Sequence, residues 1–240
     1  MSGFLSQFGE ALPFFAQGVV ITLELTILGA ALSVVISFIF GLMALSQSVG
    51  VRFVSRVFVE FFRGTSLLVQ MFWLFFALPL AGIQLVPVAT GVIALGLNYG
   101  AYGSEVVRGG INAIPRAQWE ATIALNMGRV QRMRRVILPQ AVVGMIPPFG
   151  NWLIQLLKGT ALVSLIGLAD LTFETQAFRD ATGNTVVAFT GALIIYFILA
   201  QIFAVLMSLL ERRSKASIGQ PMERRALGGL GWRLGGSEAA

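Results

Sequence analysis

Cysteine and histidine are absent from this chain of 240 residues. Their absence excludes disulfide frameworks, thiolate metal sites and catalysis by a histidine base, and we predict neither a metal site nor a catalytic residue. Charged residues are also scarce, at 12% of the chain, whereas soluble domains contain about a quarter. Since 56% of the residues are hydrophobic, the composition favours a polytopic membrane protein with one membrane domain.

The net charge of +6 does not indicate nucleic-acid binding, because the basic residues lie in polar stretches beside apolar runs, where membrane topology explains them better. The first 17 residues contain no lysine or arginine and therefore lack the basic region of a secretory signal. We expect residues 1–17 to be retained outside the membrane and residues 18–213 to form the membrane domain. Residues 214–240 are basic and end rich in glycine, which predicts a disordered cytoplasmic tail.

Apolar runs predict an all-α bundle of five membrane-spanning helices. A span needs about 20 residues to cross a hydrocarbon core about 30 Å thick. The predicted spans are Val19–Leu42, Leu67–Ile83, Val88–Val107, Ala141–Leu157 and Val186–Leu210. The amphipathic segment Phe53–Phe62 leads into the second span. Lys158–Asn184 is too polar to cross, and here we expect a short helix at the outer face followed by a loop.

Lysine and arginine are enriched in cytoplasmic loops, and their distribution predicts the orientation. With the N-terminus outside, 15 basic residues lie on the cytoplasmic side: Arg52, Arg56, Arg63, Arg108, Arg116, Arg129, Arg132, Arg134, Arg135, Arg212, Arg213, Lys215, Arg224, Arg225 and Arg233. Lys158 and Arg179 are then the basic residues outside. The opposite orientation would reverse this ratio, so we predict that the N-terminus is outside and the C-terminus inside.

Small residues recur every four positions on two of the predicted spans. They are Gly29, Ser33, Ser37 and Gly41 on the first span, and Gly96, Gly100 and Ser104 on the third. A spacing of four places each set on one face of a helix, and small residues allow helices to approach closely in lipid. We interpret both stripes as packing surfaces.

A long, polar and basic insert, Arg108 to Gln140, separates the third and fourth predicted spans. Its first part predicts a helix over Arg116–Met127 that Gly128 ends. Its second part predicts a short helix over Arg129–Ile137 that stops before Pro139. Two short helices at an angle, exposed to the cytosol, would form a compact lever.

The insert resembles the coupling loop of ABC importer permeases, whose pattern is E-A-A-x3-G-x9-I-x-L-P. The matching residues are Glu120, Ala121, Leu138 and Pro139, while Thr122, Asn126 and Val136 replace the second alanine, the glycine and the isoleucine of the pattern. Residues 62–65, 101–115 and 157–164 are similar to the polar-amino-acid (His/Glu/Gln/Arg/opine-type) permeases of this class, and the resemblance extends over residues 18–213. Residues 60–70 and 124–126 look nearest to ectoine- and hydroxyectoine-type permeases.

The resemblance implies a type I ABC importer permease fold in the bacterial cytoplasmic (inner) membrane. Such a subunit would pair with an identical or similar permease, bind two cytosolic ABC ATPases, and receive a polar amino acid or an amino-acid-like compatible solute from an extracytoplasmic binding protein. The implied ATPase-coupling residues are Arg116, Trp119, Glu120, Ala121, Ala124, Leu125, Asn126, Met127 and Gly128. The sequence contains no phosphate-binding loop, so we expect no cofactor on this chain and no enzymatic activity; ATP and Mg would bind the partner subunits.

Polar side chains within the spans predict a solute pathway, because they are costly in lipid. The candidates are Glu24, Asn98, Tyr99, Asn151, Gln155, Lys158 and Thr160. Asn151, Gln155 and Lys158 share one face of the fourth span. Lys158 could bind a carboxylate, and Glu24 or Tyr99 a cationic nitrogen. Positions among lipid headgroups or bridges between helices are the structural alternative for these residues.

Two other functions remain open from the residues alone. One is a proton-coupled secondary transporter with Glu24 or Glu105 as the carrier, although such proteins usually contain inverted repeats and the sequence shows none. Glu105 lies three residues before Arg108, so an ion pair at the inner interface would explain both residues. The other is a non-transporting membrane scaffold that docks a cytosolic partner.

Overall fold

The computed structural model describes residues 2–217, and this part of the chain confirms the predicted all-α fold. Its helices are α1 (Ser2–Ala44), α2 (Val49–Gly64), α3 (Leu67–Phe72), α4 (Pro87–Asn112), α5 (Arg116–Ala124), α6 (Arg129–Arg132), α7 (Leu138–Gly159), α8 (Leu171–Thr182) and α9 (Thr185–Ser217). Because α9 continues to Ser217, the predicted tail begins as the last turn of a helix; residues 218–240 lie outside the described range.

Within residues 2–217, three helical stretches are long and apolar enough to cross a membrane: Leu12–Ala44, Arg129–Ile166 and Thr185–Ala216. A fourth span results if α2 and the helical stretch Leu67–Ala81 are taken together, but the two meet at 100°. The helix α4 has 26 residues and is about 39 Å long. Its polar residues lower its hydropathy, so it is not among the stretches that are apolar enough to cross. Five spans, with the N-terminus outside, therefore stay a prediction.

The central position of α4 explains why a long helix can be this polar. It packs against α1 over much of its length and also contacts α2, α3 and α7. Its buried residues include Asn98 and Ser104. A helix surrounded by protein does not present these polar groups to lipid, and polar residues within membrane bundles generally face the interior.

The contact between α1 and α4 is formed by the two stripes of small residues, as predicted. The hydroxyl of Ser33 donates to the carbonyl oxygen of Gly96 at 3.3 Å, and that of Ser37 lies 3.2 Å from the carbonyl oxygen of Gly100. A Cβ at either glycine would come closer to α1 side chains than real Cβ atoms do. The absent side chains thus bring two backbones close enough for hydroxyl–carbonyl bonds.

The second helix of the polar insert does not stop before Pro139, so that prediction is wrong. A π-helical segment, Met133–Ile137, joins α6 to α7, and the helical path continues to Ile166. A proline inside an α-helix removes one N–H and crowds the carbonyl group four residues earlier. The wider π-helical turn directly before α7 relieves this crowding at Pro139, which lies in the first turn of α7.

The segment before α9, predicted as a short helix followed by a loop, contains two helical stretches, so the predicted loop after the short helix is wrong. A 3₁₀ segment, Thr160–Ile166, follows α7. The carboxylate of Asp170 then caps α8 by accepting from the backbone N–H groups of Thr172 at 3.1 Å and Phe173 at 3.0 Å. Gly183, with φ of 70°, ends the helix. The buried face of α8 consists of Leu171, Thr175 and Phe178.

We expect Gly41→Ala to destabilise the bundle by about 1–3 kcal/mol, because a Cβ there would lie 2.7 Å from Cβ of Val107 and 2.8 Å from the carbonyl oxygen of Ser104. Gly144→Ala is the matched control: it also replaces a helical glycine, but nothing lies within 4 Å of the added Cβ, so it should be neutral or stabilise by up to about 1 kcal/mol. Thermal unfolding in one detergent measures both. Equal midpoints for Gly41→Ala and the wild-type protein would contradict the tight contact.

Candidate functional site

One face of α5 is held on the helical bundle. The half-buried Trp119 packs against an apolar cluster at the ends of α4 and α7. The buried residues of this cluster are Val107, Ile111, Ile137, Ala141 and Met145. Thr122 is also buried and donates to the carbonyl oxygen of Trp119 at 2.7 Å. Trp119 therefore anchors α5 to its own bundle.

The opposite face of α5 and the turn after it are accessible. The exposed residues of the predicted coupling set are Arg116, Glu120, Ala121, Ala124, Leu125, Asn126 and Gly128, and Met127 is half-buried. Three large apolar side chains add to this surface: Ile123 is 57% exposed, Leu125 75% and Val130 80%. An apolar patch beside an acidic residue is typical of a protein interface, and here the opposite face of the helix is packed against the bundle. Ile123 and Val130 were absent from the coupling set predicted from the sequence.

The turn that ends α5 is made by Asn126 and not, as predicted, by Gly128. The helix ends at Ala124, and Asn126 has φ of 54°, in the left-handed region. The N–H of Met127 donates back to the carbonyl oxygen of Thr122 at 3.0 Å. Glycine and asparagine are the residues that most readily adopt this conformation at a helix end. This explains why asparagine can stand in the glycine position of the coupling pattern.

Two arginines of α6 tie the insert to its surroundings. The guanidinium group of Arg129 donates to Oε1 of Gln47, in the connection between α1 and α2, at 2.6 Å. Arg132 donates to the carbonyl oxygen of Met127 at 3.3 Å and so binds the turn after α5. The insert is thus connected to the ends of α1, α4 and α7 together.

The structure brings three of the predicted solute-pathway residues together on one surface. Asn151, Gln155 and Lys158 are exposed along α7. Between them, Trp152 and Leu156 point into the bundle and are buried. The polar row therefore faces away from the core of this subunit, toward whatever covers α7.

Asn98 has a different position from that row. It is buried, and its amide donates to the carbonyl oxygen of Phe62 at 2.9 Å and lies 3.3 Å from Oε1 of Gln70. The amide of Gln70 in turn donates to Oγ1 of Thr65 at 2.6 Å. This network satisfies polar groups at the 100° bend between α2 and α3 and attaches the bend to α4. The sequence analysis did not identify Gln70.

The remaining candidates are also separated from the polar row. The hydroxyl of Tyr99 donates to the backbone carbonyl oxygen of Gln155 at 2.8 Å, behind the exposed face. Thr160 is buried and donates to the carbonyl oxygen of Leu157 at 2.7 Å. Glu24 is exposed on α1, and within residues 2–217 no hydrogen bond or ion pair joins it to Lys158.

Glu105 forms the ion pair that its spacing predicts. Nη2 of Arg108 lies 2.6 Å from Oε2 of Glu105, and Nε of the same arginine donates to that oxygen at 3.1 Å. This ion pair accounts for both residues without a role in proton transport.

A buried carboxylate lies beyond the last turn of α7. Asp170 is fully buried, and burial raises the pKa of its carboxyl group to about 6, opposed by the capping N–H groups and by the hydroxyl of Tyr196, which donates at 3.2 Å. The N–H of Leu171 donates to Oγ1 of Thr22 on α1 at 3.1 Å. These bonds attach α8 to both α1 and α9 and give Asp170 a structural role.

The chain is similar to known proteins over most of its length. The family model described as "Binding-protein-dependent transport system inner membrane component" matches residues 33–216. A probable amino-acid ABC transporter permease protein, y4tF of Sinorhizobium fredii, is 45% identical over 81% of this chain and 84% of the relative. The L-cystine transport system permease TcyB of Bacillus subtilis is 36% identical over 84% of this chain and 86% of its own.

Solved structures of ABC transporters are also similar to this chain. A chain from the crystal structure of an amino acid ABC transporter with histidines is 36% identical, with a TM-score of 0.81, and the match covers 88% of this chain and 98% of that one. A chain of the inward-facing MetNI methionine ABC transporter is 20% identical with a TM-score of 0.73, over 84% of this chain and 96% of that one, and shows the shared fold alone.

The left-handed conformation of Asn126 predicts how substitutions at this position change the stability of the turn after α5. Asn126→Val should strain the left-handed turn by about 1–2 kcal/mol, whereas Asn126→Gly should preserve it. Hydrogen exchange over residues 116–128 measures the effect, and faster exchange is expected for the valine variant alone. Ala117→Val adds a β-branched side chain at an exposed position of α5, away from the turn, and measures the effect of the β-branch by itself. Identical exchange in the valine and glycine variants would contradict the assigned turn.

Proposed function

Since the chain belongs to the binding-protein-dependent transport system inner membrane component family and is the permease subunit of an amino-acid ABC importer, we propose that α5 receives force from a cytosolic ATPase and that the polar face of α7 borders the solute pathway. The observation that carries this proposal is the helical path from Arg129 to Ile166. It begins beside α5 and includes the polar row at its other end. The distance between Arg129 and Lys158 along such a path is about 44 Å.

This path gives a physical route for coupling. Trp119 packs α5 against the bundle, so a displacement of α5 acts on the ends of α4 and α7 and not on a free loop. The exposed side chains Glu120, Ile123 and Leu125 supply an acidic and apolar surface for docking. Closure of a pair of ATPases on ATP would move this surface, and the helix would transmit the motion across the membrane.

The exposed polar row on α7 supports assembly with a second permease subunit, identical or similar to this one. Contact with lipid would be costly for the polar side chains of Asn151, Gln155 and Lys158. Polar residues within a membrane bundle face a partner or a water-filled cavity. A second subunit covering this face would enclose a pathway between the two. A binding protein outside the cell would then deliver solute to the end of the row that contains Lys158.

The chemistry of the row suits a polar amino acid. The ammonium group of Lys158 can bind a carboxylate, while the amides of Asn151 and Gln155 can donate to and accept from a polar side chain. Relatives of this chain are named as permeases for cystine, glutamine and arginine. Transport of a compatible solute of the ectoine type stays a finer prediction within the same chemistry. Membership of this transporter family disfavours the secondary-transporter and scaffold alternatives.

Glu120→Arg should abolish ATPase docking without affecting membrane insertion, because it reverses the charge at the centre of the exposed face of α5. We expect the cognate ATPase to bind the variant at least about tenfold more weakly in a pull-down from detergent. Asp180→Arg reverses an exposed charge near the end of α8 and should leave docking unchanged. Wild-type capture by Glu120→Arg would remove α5 from the docking surface.

Lys158→Ala should lower solute-stimulated ATP turnover by about tenfold in proteoliposomes containing the ATPase and binding protein, because it removes the cation proposed to bind the carboxylate. Lys158→Arg should retain part of the activity. The matched control is Lys215→Ala, which removes the other lysine of the chain, ion-paired with Glu211 at the end of α9. Normal turnover in Lys158→Ala would exclude this residue from the pathway.

A further inference from the structure

The proposed transport function does not account for the arrangement of side chains around helix α2. Its arginines, Arg52, Arg56 and Arg63, lie within about 40° of one another around the helix axis. The face turned away from the bundle is apolar and exposed. Its residues are Val49, Phe53, Val54, Val57 and Phe61. A helix with a narrow basic stripe beside an exposed apolar face is typical of a position in the membrane interface.

The basic stripe borders a cavity of about 620 Å³ between α1, α2 and α4. Four guanidinium groups line it, from Arg52, Arg56 and Arg63 of α2 and from Arg108 of α4. Two carboxylates, Glu60 and Glu105, also line it, so the lining has a net charge of +2. The volume is within the range of small-molecule sites, about 300–1,000 Å³, and the charge selects an anion.

The arginines are oriented by contacts that leave donors for a ligand. Arg52 is held through Nη1 alone, which donates to the carbonyl oxygens of Ser46 and Gln47. Arg56 is 3.6 Å from Glu60, and its side chain is 77% exposed. A guanidinium group has five N–H donors in a fixed plane, a geometry that matches phosphate oxygens.

Arg63 and the apolar rim complete the site. The guanidinium carbon of Arg63 lies 5.1 Å from the ring centroid of Tyr102, which fixes the side chain by a cation–π contact. Val49 and Phe53 line the same cavity and are 71% and 64% exposed. The opening is therefore polar within and apolar at its edge, which fits an amphiphile better than a free ion.

We propose that this cavity binds the phosphate-bearing headgroup of an anionic glycerophospholipid from the cytoplasmic leaflet. The acyl chains extend past Phe53 along the apolar face of α2, and the 100° bend after Gly64 directs α3 away from the membrane surface. The bound lipid joins α2 to the last turns of α4, where the insert begins at Arg108. Basic residues on an interfacial helix attract anionic headgroups in this manner. The inference rests on the proposed orientation of the permease, with α2 at the inner leaflet.

The first test uses the wild-type permease assembled with its ATPase. Native mass spectrometry after incubation with equal amounts of phosphatidylglycerol and phosphatidylcholine should show selective retention of phosphatidylglycerol. Adding inorganic phosphate should displace it no better than chloride at the same ionic strength. Equal retention of the two lipids overturns the proposal, and selective displacement by phosphate overturns the lipid as the ligand in favour of free phosphate.

A second test compares charge-removing variants. Arg52→Gln/Arg56→Gln should retain about tenfold less phosphatidylglycerol than the wild-type protein. Arg56→Gln alone, at a highly exposed position, should give a smaller loss in a protein that assembles normally. The control Arg212→Gln/Arg213→Gln removes two exposed charges at the end of α9 and should retain the lipid fully. Equal losses in the control and the double variant, or no loss in either α2 variant, overturn the site.

Two further measurements separate this inference from the proposed function. ATP-driven uptake in pure phosphatidylcholine vesicles tests the permease activity by itself, so uptake without lipid selectivity overturns the lipid site alone. Because the sequence contains no cysteine, the variant Ser46→Cys has a single thiol, and labelling of that thiol shows on which side of the membrane the connection between α1 and α2 lies. Labelling of that cysteine from inside supports the orientation on which the site depends, and labelling from outside overturns both proposals.

Discussion

The close contact between α1 and α4 is the constraint on which the rest of the structure depends. Burial of apolar surface contributes little between helices in lipid, because lipid tails are as apolar as the side chains they replace. Here the missing side chains of Gly96 and Gly100 let serine hydroxyls of α1 reach α4 carbonyl oxygens. This contact makes α4 the central helix, where a polar residue such as Asn98 is buried among the other helices.

From this centre, α4 organises both ends of the molecule. Asn98 and Gln70 hold the sharp bend between α2 and α3, so the buried polar residue of α4 stabilises backbone that would otherwise have unsatisfied groups in the membrane. At its other end α4 leads into α5, whose Trp119 packs back onto the same bundle. The π-helical segment then makes one helical path of α6 and α7. Force applied at α5 therefore acts on a connected body.

Much of the candidate coupling site was accessible from sequence because its signals are local. The pattern around Glu120 identifies the insert, and the polarity of residues 116–128 predicts exposure, which the structure confirms except at Trp119, Thr122 and Met127. The exposed polar row on α7 follows from helical spacing. Asn98 and Thr160 are also predicted from the sequence as pathway residues. Their hydrogen bonds to the carbonyl oxygens of Phe62 and Leu157 show that a polar residue in a span can instead satisfy backbone groups.

The sequence by itself determined the all-α membrane class, the packing stripes, the insert and the family, since composition, spacing and short patterns record these directly. The tertiary structure alone decided that the helix runs through Pro139, that a second helix, α8, forms where a loop was predicted after a short helix, and that α2 meets α3 at 100°. These features depend on groups distant in sequence, such as Thr22 beside Leu171 and Asn98 beside Phe62. Local propensity contains no record of a partner 149 or 36 residues away.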